Sequence, residues 1–397
     1  MREAALLAAG VDVRLIAPSN WSSGGEVQGV PDGLDMVNLR VSRPGDVNRH
    51  RYEASGEVHA AIADFAPDVV DLHEEPFSAV ARQLLSGIQQ PVVMYSAQNL
   101  DKRWPPPFGS WERAALRRVA GFYPCSQQAS SVLRGKGYSG LVNPLPLGVD
   151  GSVFRMGQQE QQTAPFTLGL VGRMVPEKGV ADAVKVLARL RVEMPARLVL
   201  IGDGPALQAA RDLAVELGVE SDVTIDPWVS AEELAARYRE MHVVLIPSRA
   251  TATWVEQFGR VILEGGSSGA VPVGYASGSI PEVIAGCGVV VSEGDVDALS
   301  EAVLGLARNR SQWSELRNGM AKRAEARSWA QVAEGMIQLY EGAIAHPRPG
   351  PLRKRNRAAA VAEFGRPAVT AVAARPFALP VLRESRLLHR LVRDPGP

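Results

Sequence analysis

Cysteine is scarce in this chain of 397 residues: Cys125 and Cys287 stand alone and far apart. That excludes a disulfide framework and a thiolate zinc site, and it suits a reducing cytosol. No apolar run approaches the ~18 residues that cross a bilayer. The opening "MREAALLAAGVDVRLIAP" holds one Arg and lacks a cleavable leader pattern. Net charge is also lacking, with 43 Lys/Arg against 43 Asp/Glu, so no nucleic-acid footprint is expected. The balance hides an asymmetry. Residues 346–397 carry 11 Lys/Arg and 3 Asp/Glu, near +8, which leaves the body near −8.

Familiar nucleotide motifs are missing too. "GDGPAL" (202–207) lacks the third glycine of G-x-G-x-x-G, and no P-loop occurs. No His/Cys cluster has metal-ligand spacing. Asp295-Val-Asp297 matches D-x-D, but it stands where a helix begins and reads as a helix cap.

What is present is the composition of a globular protein, 46% hydrophobic and 22% charged, at a length that suits two domains. Short apolar strands alternate with helical patterns almost throughout. Candidate strands are 11–18, 36–41, 69–73, 92–96 and 122–125, then 167–172, 197–202, 223–225, 243–247, 271–275 and 289–292. Helices are expected between them, as at 52–65, 77–85 and 111–120. Pro205 fits the first position of a helix ending near Gly218, and Ser230 with Glu233 fits a capping box. Strands that are apolar throughout, each followed by a helix, imply parallel sheets covered on both faces.

The Gln-rich "RMGQQEQQTAP" (155–165) is the linker candidate. It sets an N-terminal domain over 1–155 and a C-terminal domain over 165–328, with an amphipathic helix at 329–345 crossing back. The Pro/Arg/Ala-rich tail 346–397 reads as flexible, and its basic segment 379–392 offers a contact to an anionic membrane surface.

In open parallel sheets ligands bind beyond the carboxyl ends of the strands. In the second half those ends carry "GRMVPEKG" (172–179), "GDGP" (202–205), "PSRATATWVEQFG" (247–259) and "YASGSIPE" (275–282). Gly172, Gly202 and Gly204 let a ligand approach backbone. Arg173 and Lys178 bring two cations to one rim. Gly259 opens the helix holding Glu264, so its N-terminal N–H groups face whatever binds there. Together these make an anion site that suits a diphosphate. The stretch "EQFGRVILE" (256–264) also sets Glu256 and Glu264 eight positions apart.

These strings, together with "LIGDGP" (200–205), "SGSIPEVI" (277–284) and "PLGVDGSVF" (146–154), resemble the retaining glycosyltransferases of family 4 over residues 1 to about 345. The resemblance implies the α/β GT-B fold, two Rossmann-like domains with parallel sheets facing across a cleft. It implies transfer of a hexose-type sugar from a nucleotide diphosphate sugar to an unidentified glycan, lipid-linked or small-molecule acceptor, with no metal and no cofactor. Arg173 and Lys178 should hold the diphosphate, and Glu256 the donor sugar. Backbone near Phe258, Gly259 and Arg260 should meet sugar and phosphate, and Glu264 the ribose hydroxyls. The loops after 69–73 and 92–96 make His73, Gln98 and Asn99 the acceptor-side candidates, although relatives carry a His where this chain reads Ser96-Ala97-Gln98-Asn99.

The resemblance breaks at two places. Relatives begin with a strand and a glycine-rich loop ahead of the first helix, and "MREAALLAAG" reads as that helix itself, so a central strand is missing. "EGGSSG" (264–269) puts two glycines into a helix where relatives favour Ala, at ~1 kcal/mol each. Two further readings stay open: an impaired fragment that only binds nucleotide-sugar, and a GT-B nucleotide-sugar epimerase.

Overall fold

A computed structural model describes residues 1–21, 33–157 and 165–348, and the backbone of 368–373. It forms two compact units, Met1–Pro146 joined by the described residues from Val332 on, and Leu147–Gln331.

Unit 1 runs α1 (Arg2–Ala8), β1 (Asp12–Pro18), β2 (Asp35–Leu39), the antiparallel pair β3 (Val41–Ser42) and β4 (Arg51–Tyr52), α2 (Ser55–Phe65), β5 (Val69–His73), α3 (Ala79–Leu85), β6 (Val92–Ser96), α4 (Phe108–Arg118), β7 (Gly121–Pro124), α5 (Gln127–Gly135) and β8 (Leu141–Val142). The helices start where side chains satisfy their first amides: Ser78 accepts from the Ala81 N–H and Ser126 from the Ala129 N–H. Val70, Leu72, Val92, Met94 and Phe122 are fully buried, so these strands are covered on both faces as their unbroken apolar runs require.

Unit 2 runs β9 (Phe166–Val171), α6 (Val180–Glu193), β10 (Ala196–Ile201), α7 (Ala206–Glu216), β11 (Val223–Asp226), α8 (Ala231–Glu240), β12 (Val243–Ile246), α9 (Arg260–Ser268), β13 (Val271–Tyr275), α10 (Ile280–Ile284), β14 (Val289–Val291), α11 (Val296–Arg308) and α12 (Arg310–Glu325). Its sheet is parallel in the order β11-β10-β9-β12-β13-β14. Leu168, Leu198, Leu200, Val271 and Val273 pack against Leu187 and Val303 in one core. Ser230 and Glu233 form the expected capping box, and the Asp295 carboxylate accepts from the Ala298 N–H at 2.8 Å, so Asp295 caps a helix as read.

α13 (Trp329–Ala345) begins with unit 2 and continues in unit 1, where the Tyr340 hydroxyl donates to Asp71 at 2.8 Å. β15 (Ala368–Ala373), with β14 ahead of it in the other unit, completes the unit 1 sheet in the order β2-β1-β15-β5-β6-β7-β8, all parallel.

Three expectations change. The tail is not flexible throughout, because six of its residues form an interior strand of the unit 1 sheet; the basic segment 379–392 lies outside the described residues. The division falls between Pro146 and Leu147 rather than at 155–165, of which 158–164 lie outside the described residues. Long-range contacts draw the preceding stretch into unit 2: Ser267 Oγ donates to the Phe154 carbonyl at 2.5 Å, and Val149 bridges Ser328. The paired glycines also have a packing reason. A Cβ on Gly266 would run into Met320 of α12, and one on Gly265 would stand 3.0 Å from Val244 of β12. Close approach on two sides offsets the weaker helix propensity.

Candidate active site

Glycine conformation shapes the first two loops at the carboxyl edge of the unit 2 sheet. Gly202 and Gly204 have φ of 136° and 155°, and Gly172 follows β9 at 144°. A Cβ on Gly202 would meet the Gly172 carbonyl, and one on Gly204 the Met174 carbonyl. Backbone hydrogen bonds join the loops: the Met174 N–H donates to Asp203 O at 2.9 Å and the Ala206 N–H to Met174 O at 2.8 Å. Gly204→Ala is therefore expected to cost about 1–3 kcal/mol in the unfolding of unit 2. Thermal unfolding followed by calorimetry would measure it, and an unchanged transition would contradict this packing.

Past Gly172, Arg173 is half-buried in the loop. A single 3-10 turn, Pro176–Lys178, follows and is closed by Gly179 in the left-handed region. That turn brings Lys178 to the loop that follows β12. Its Nζ lies 2.6 Å from Glu256 Oε2 and 5.0 Å from the centre of the Trp254 ring. Glu256 is 7% exposed and accepts also from Ser248 Oγ at 2.9 Å. Trp254 is held in place by a local turn, in which its N–H donates to Thr251 Oγ1 at 3.0 Å and its carbonyl accepts from the Thr251 N–H at 2.7 Å. Lys178, Ser248, Trp254 and Glu256 thus form one cluster.

A second cluster lies on the opening turns of α9. Gly259 is the N-cap in the left-handed region, no side chain caps the helix, and Phe258 is buried beside it. Arg260 and Glu264 pair at 2.7 Å one turn apart. Burial drives the Glu264 carboxyl above the usual carboxylate range, and Arg260 opposes the shift only in part.

All ten residues read as catalytic or donor-binding fall within unit 2 on these loops and α9. Sequence reasoning missed Ser248 and Trp254, which lie inside a quoted loop but carry no spacing signal. It also missed Gly278, at φ 53°, where a Cβ would meet the Glu256 carbonyl. Arg249, by contrast, is structural: it holds Asp182 through two hydrogen bonds, at 2.7 and 2.9 Å.

The acceptor-side candidates all fall within unit 1. The His73 ring stacks on Tyr95 at 4.3 Å, and its Nδ1 lies 2.6 Å from Arg2 Nη1. A guanidinium only donates, so Nδ1 accepts and the ring proton sits on Nε2. Gln98 accepts from Lys136 Nζ at 2.6 Å through Oε1. Asn99 is 5% exposed beside it. Glu75 joins the loops after β5 and β6, accepting from the Ala97 N–H at 2.8 Å and Ser96 Oγ at 3.0 Å. Among the described residues no three His, Cys, Asp or Glu side chains group as metal ligands, and no helix is long and apolar enough to cross a membrane.

Comparison with known proteins matches two family profiles, a glycosyl transferase 4-like domain over residues 3–148 and the glycosyl transferases group 1 over 155–327. The MMP α-(1→4)-mannosyltransferase of Mycolicibacterium hassiacum is 34% identical over 51% of this chain and 48% of its own length. A GDP-mannose-dependent phosphatidylinositol monomannoside mannosyltransferase of Mycolicibacterium smegmatis is 31% identical over 48% of this chain and 55% of its own. The chain spans about half the length of the curated relatives it matches. Among solved structures, sucrose-phosphate synthase from Thermosynechococcus elongatus superposes with a TM-score of 0.68 at 19% identity, over 87% of this chain and 92% of that one. HepE of Anabaena, solved with UDP and glucose, gives 0.63 at 14% identity, over 82% and 98%. These likenesses show the fold, a GT-B arrangement of two Rossmann-like domains.

Proposed function

The chain belongs to the family 4 glycosyltransferases (glycosyl transferases group 1), and from that premise we propose that it moves a hexose-type sugar from a nucleoside diphosphate donor to an acceptor hydroxyl, with retained anomeric configuration and without a metal. One observation carries the reading. A single sheet edge holds backbone-exposing glycine turns, a cation locked to a buried acid, and a second buried acid on a glycine-opened helix. This assortment suits a ligand that is diphosphate in its middle and polyhydroxyl at both ends.

Arg173 and Lys178 neutralise the diphosphate, whose charge grows as the bond to the sugar breaks. Glu256 accepts hydrogen bonds from the donor sugar. Glu264 accepts two from the ribose diol, which an ionised carboxylate can do with both oxygens. The amides opening α9 face the phosphates. Trp254 offers an apolar ring face beside Lys178 on which a pyranose can stack. GDP-mannose dependence in the mycobacterial relative and bound UDP in HepE support the nucleotide-sugar class. The acceptor contacts belong to His73, Gln98 and Asn99.

Calorimetry with uridine, guanosine and adenosine diphosphate hexoses tests the proposal. One donor should bind, and its sugar should reappear in a product whose anomeric configuration, read by NMR, matches the donor in buffer containing EDTA. Binding by none of them would defeat the reading. Glu264→Gln should weaken that donor about 10- to 100-fold, since one charged hydrogen-bond acceptor is lost. Because the folded pKa of Glu264 is raised, wild-type affinity should also fall as pH drops toward it, and the Gln variant should show no such fall. Equal pH profiles would reject the ribose role.

A further inference from the structure

We propose that Ala368–Ala373 is a built-in donor strand: the carboxyl-terminal tail enters the middle of the unit 1 sheet in cis and, with β5, forms the sheet's ligand crevice. Residues 369–372 pair on both sides, Val369 to Val372 against Val13 to Ile16 of β1 and against Val69 to Leu72 of β5. Neither neighbour pairs with the other, so among the described residues β15 alone joins β1 and β2 to the rest of the sheet. The slot it fills lies in the interior. Val13, Leu15, Ile16, Val69, Val70 and Leu72 are all buried. Buried backbone groups without partners are rare in folded proteins, so an open slot there would not persist.

Strand order gives this closure a functional consequence. β1 is followed by β2 on one side of β15, and β5 by β6, β7 and β8 on the other. The direction of winding therefore reverses between β1 and β5, and β15 fills the place of that reversal. In open parallel sheets the ligand crevice lies at such a reversal, outside the carboxyl ends of the strands. Ala373 and His73, which are register partners, stand at those ends. The tail thus supplies one wall of the crevice in which the acceptor-side candidate His73 stands. That second part rests on the glycosyltransferase reading, whereas the closure itself does not.

Hydrogen exchange of the full chain tests the closure. Amides of 369–373 should exchange as slowly as those of β1 and β5. Ala371→Pro removes a ladder donor and bars a central strand, so it should speed exchange in β1 and β5 about 100-fold or more. The same change at Ala358, outside the strand, should leave both unaltered. Fast exchange at 369–373 in the wild type would overturn the proposal without any variant. The paired variant Ile16→Cys with Val372→Cys should give an intramolecular disulfide on oxidation. A disulfide between two copies, or none, would overturn the in-cis closure. For the crevice, Ala371→Pro should abolish turnover while donor affinity, set by unit 2, stays within about twofold. Retained turnover would remove the tail from the site. If the wild type bound no nucleotide-sugar, the glycosyltransferase reading would fail and the exchange data would still decide the closure.

Discussion

Lys178→Ala is expected to lower kcat by about 100- to 1,000-fold with the true donor, the loss typical of removing one group that stabilises charge in a transition state. Lys178 Nζ lies 2.6 Å from Glu256 Oε2, with its side chain 22% exposed. On the proposed reading, an incoming diphosphate carries more negative charge than one carboxylate and would offer Lys178 a stronger partner as the leaving oxygen develops charge. On the same reading Glu256, still held by Ser248, would then accept from a sugar hydroxyl. The ion pair sets a partly exposed cation beside a buried acid, and on the proposed reading each would meet a different part of one ligand. Truncation should act mainly on kcat, because the interaction strengthens as the bond breaks. Lys178→Arg should recover part of the loss, since charge is kept but the compact ammonium is not. Steady-state kinetics on the three proteins would decide. A raised KM with unchanged kcat would move Lys178 from the chemistry to simple donor binding.

That pair also shows what a linear reading can and cannot reach. Lys178 and Glu256 are 78 positions apart. They meet because β9 and β12 are neighbours in the sheet, so the loops leaving their carboxyl ends share one edge. The continuous apolar runs gave away the strands, and the parallel class followed from their alternation with helices, so both acids and both cations could be assigned to one rim. The partner chosen by each charge could not, because it depends on strand order. β15 was illegible for a related reason. "AVTAVA" is short, lies in a basic Pro-rich segment, and pairs with strands some 300 to 350 positions upstream. Local composition argues for flexibility there, and only the unfilled slot between β1 and β5 argues for a strand. The domain boundary moved because the Gln-rich stretch is conspicuous, while Val149 and Phe154 are tied to unit 2 by contacts more than 100 positions away. In α9, propensity counts two glycines as weakness and cannot see Met320 and Val244 pressed against them.

Asp71→Ala is expected to destabilise unit 1 by about 3–5 kcal/mol, the usual cost of leaving a buried charge network uncompensated. Asp71 is 1% exposed on β5. Its carboxylate accepts from the Tyr123 hydroxyl of β7 at 2.6 Å and from the Tyr340 hydroxyl of α13 at 2.8 Å. Arg2 of α1, also buried, donates to Tyr123 at 3.2 Å and pairs with Glu3 at 2.7 Å. One carboxylate thus ties β5, its neighbour but one β7, and α13, and through Tyr123 it reaches α1. Truncation would remove the acceptor of two hydroxyls and leave the guanidinium with less compensating charge. Asp71→Asn, which keeps shape and one acceptor, should cost only about 1–2 kcal/mol. The pH dependence separates charge from packing. Burial raises the Asp71 carboxyl above its ordinary range, outweighing Arg2 and the two hydroxyls. The native state therefore holds that proton more tightly than the unfolded state does. Its contribution to stability is present below the unfolded value of about 3.9 and is lost as pH rises through the folded pKa. Unit 1 of the wild type should gain stability from this group as pH is lowered across that window, and Asp71→Asn should not. Denaturant unfolding of both proteins at several pH values would measure the difference, and parallel profiles would show that Asp71 acts through its shape and hydrogen bonds alone.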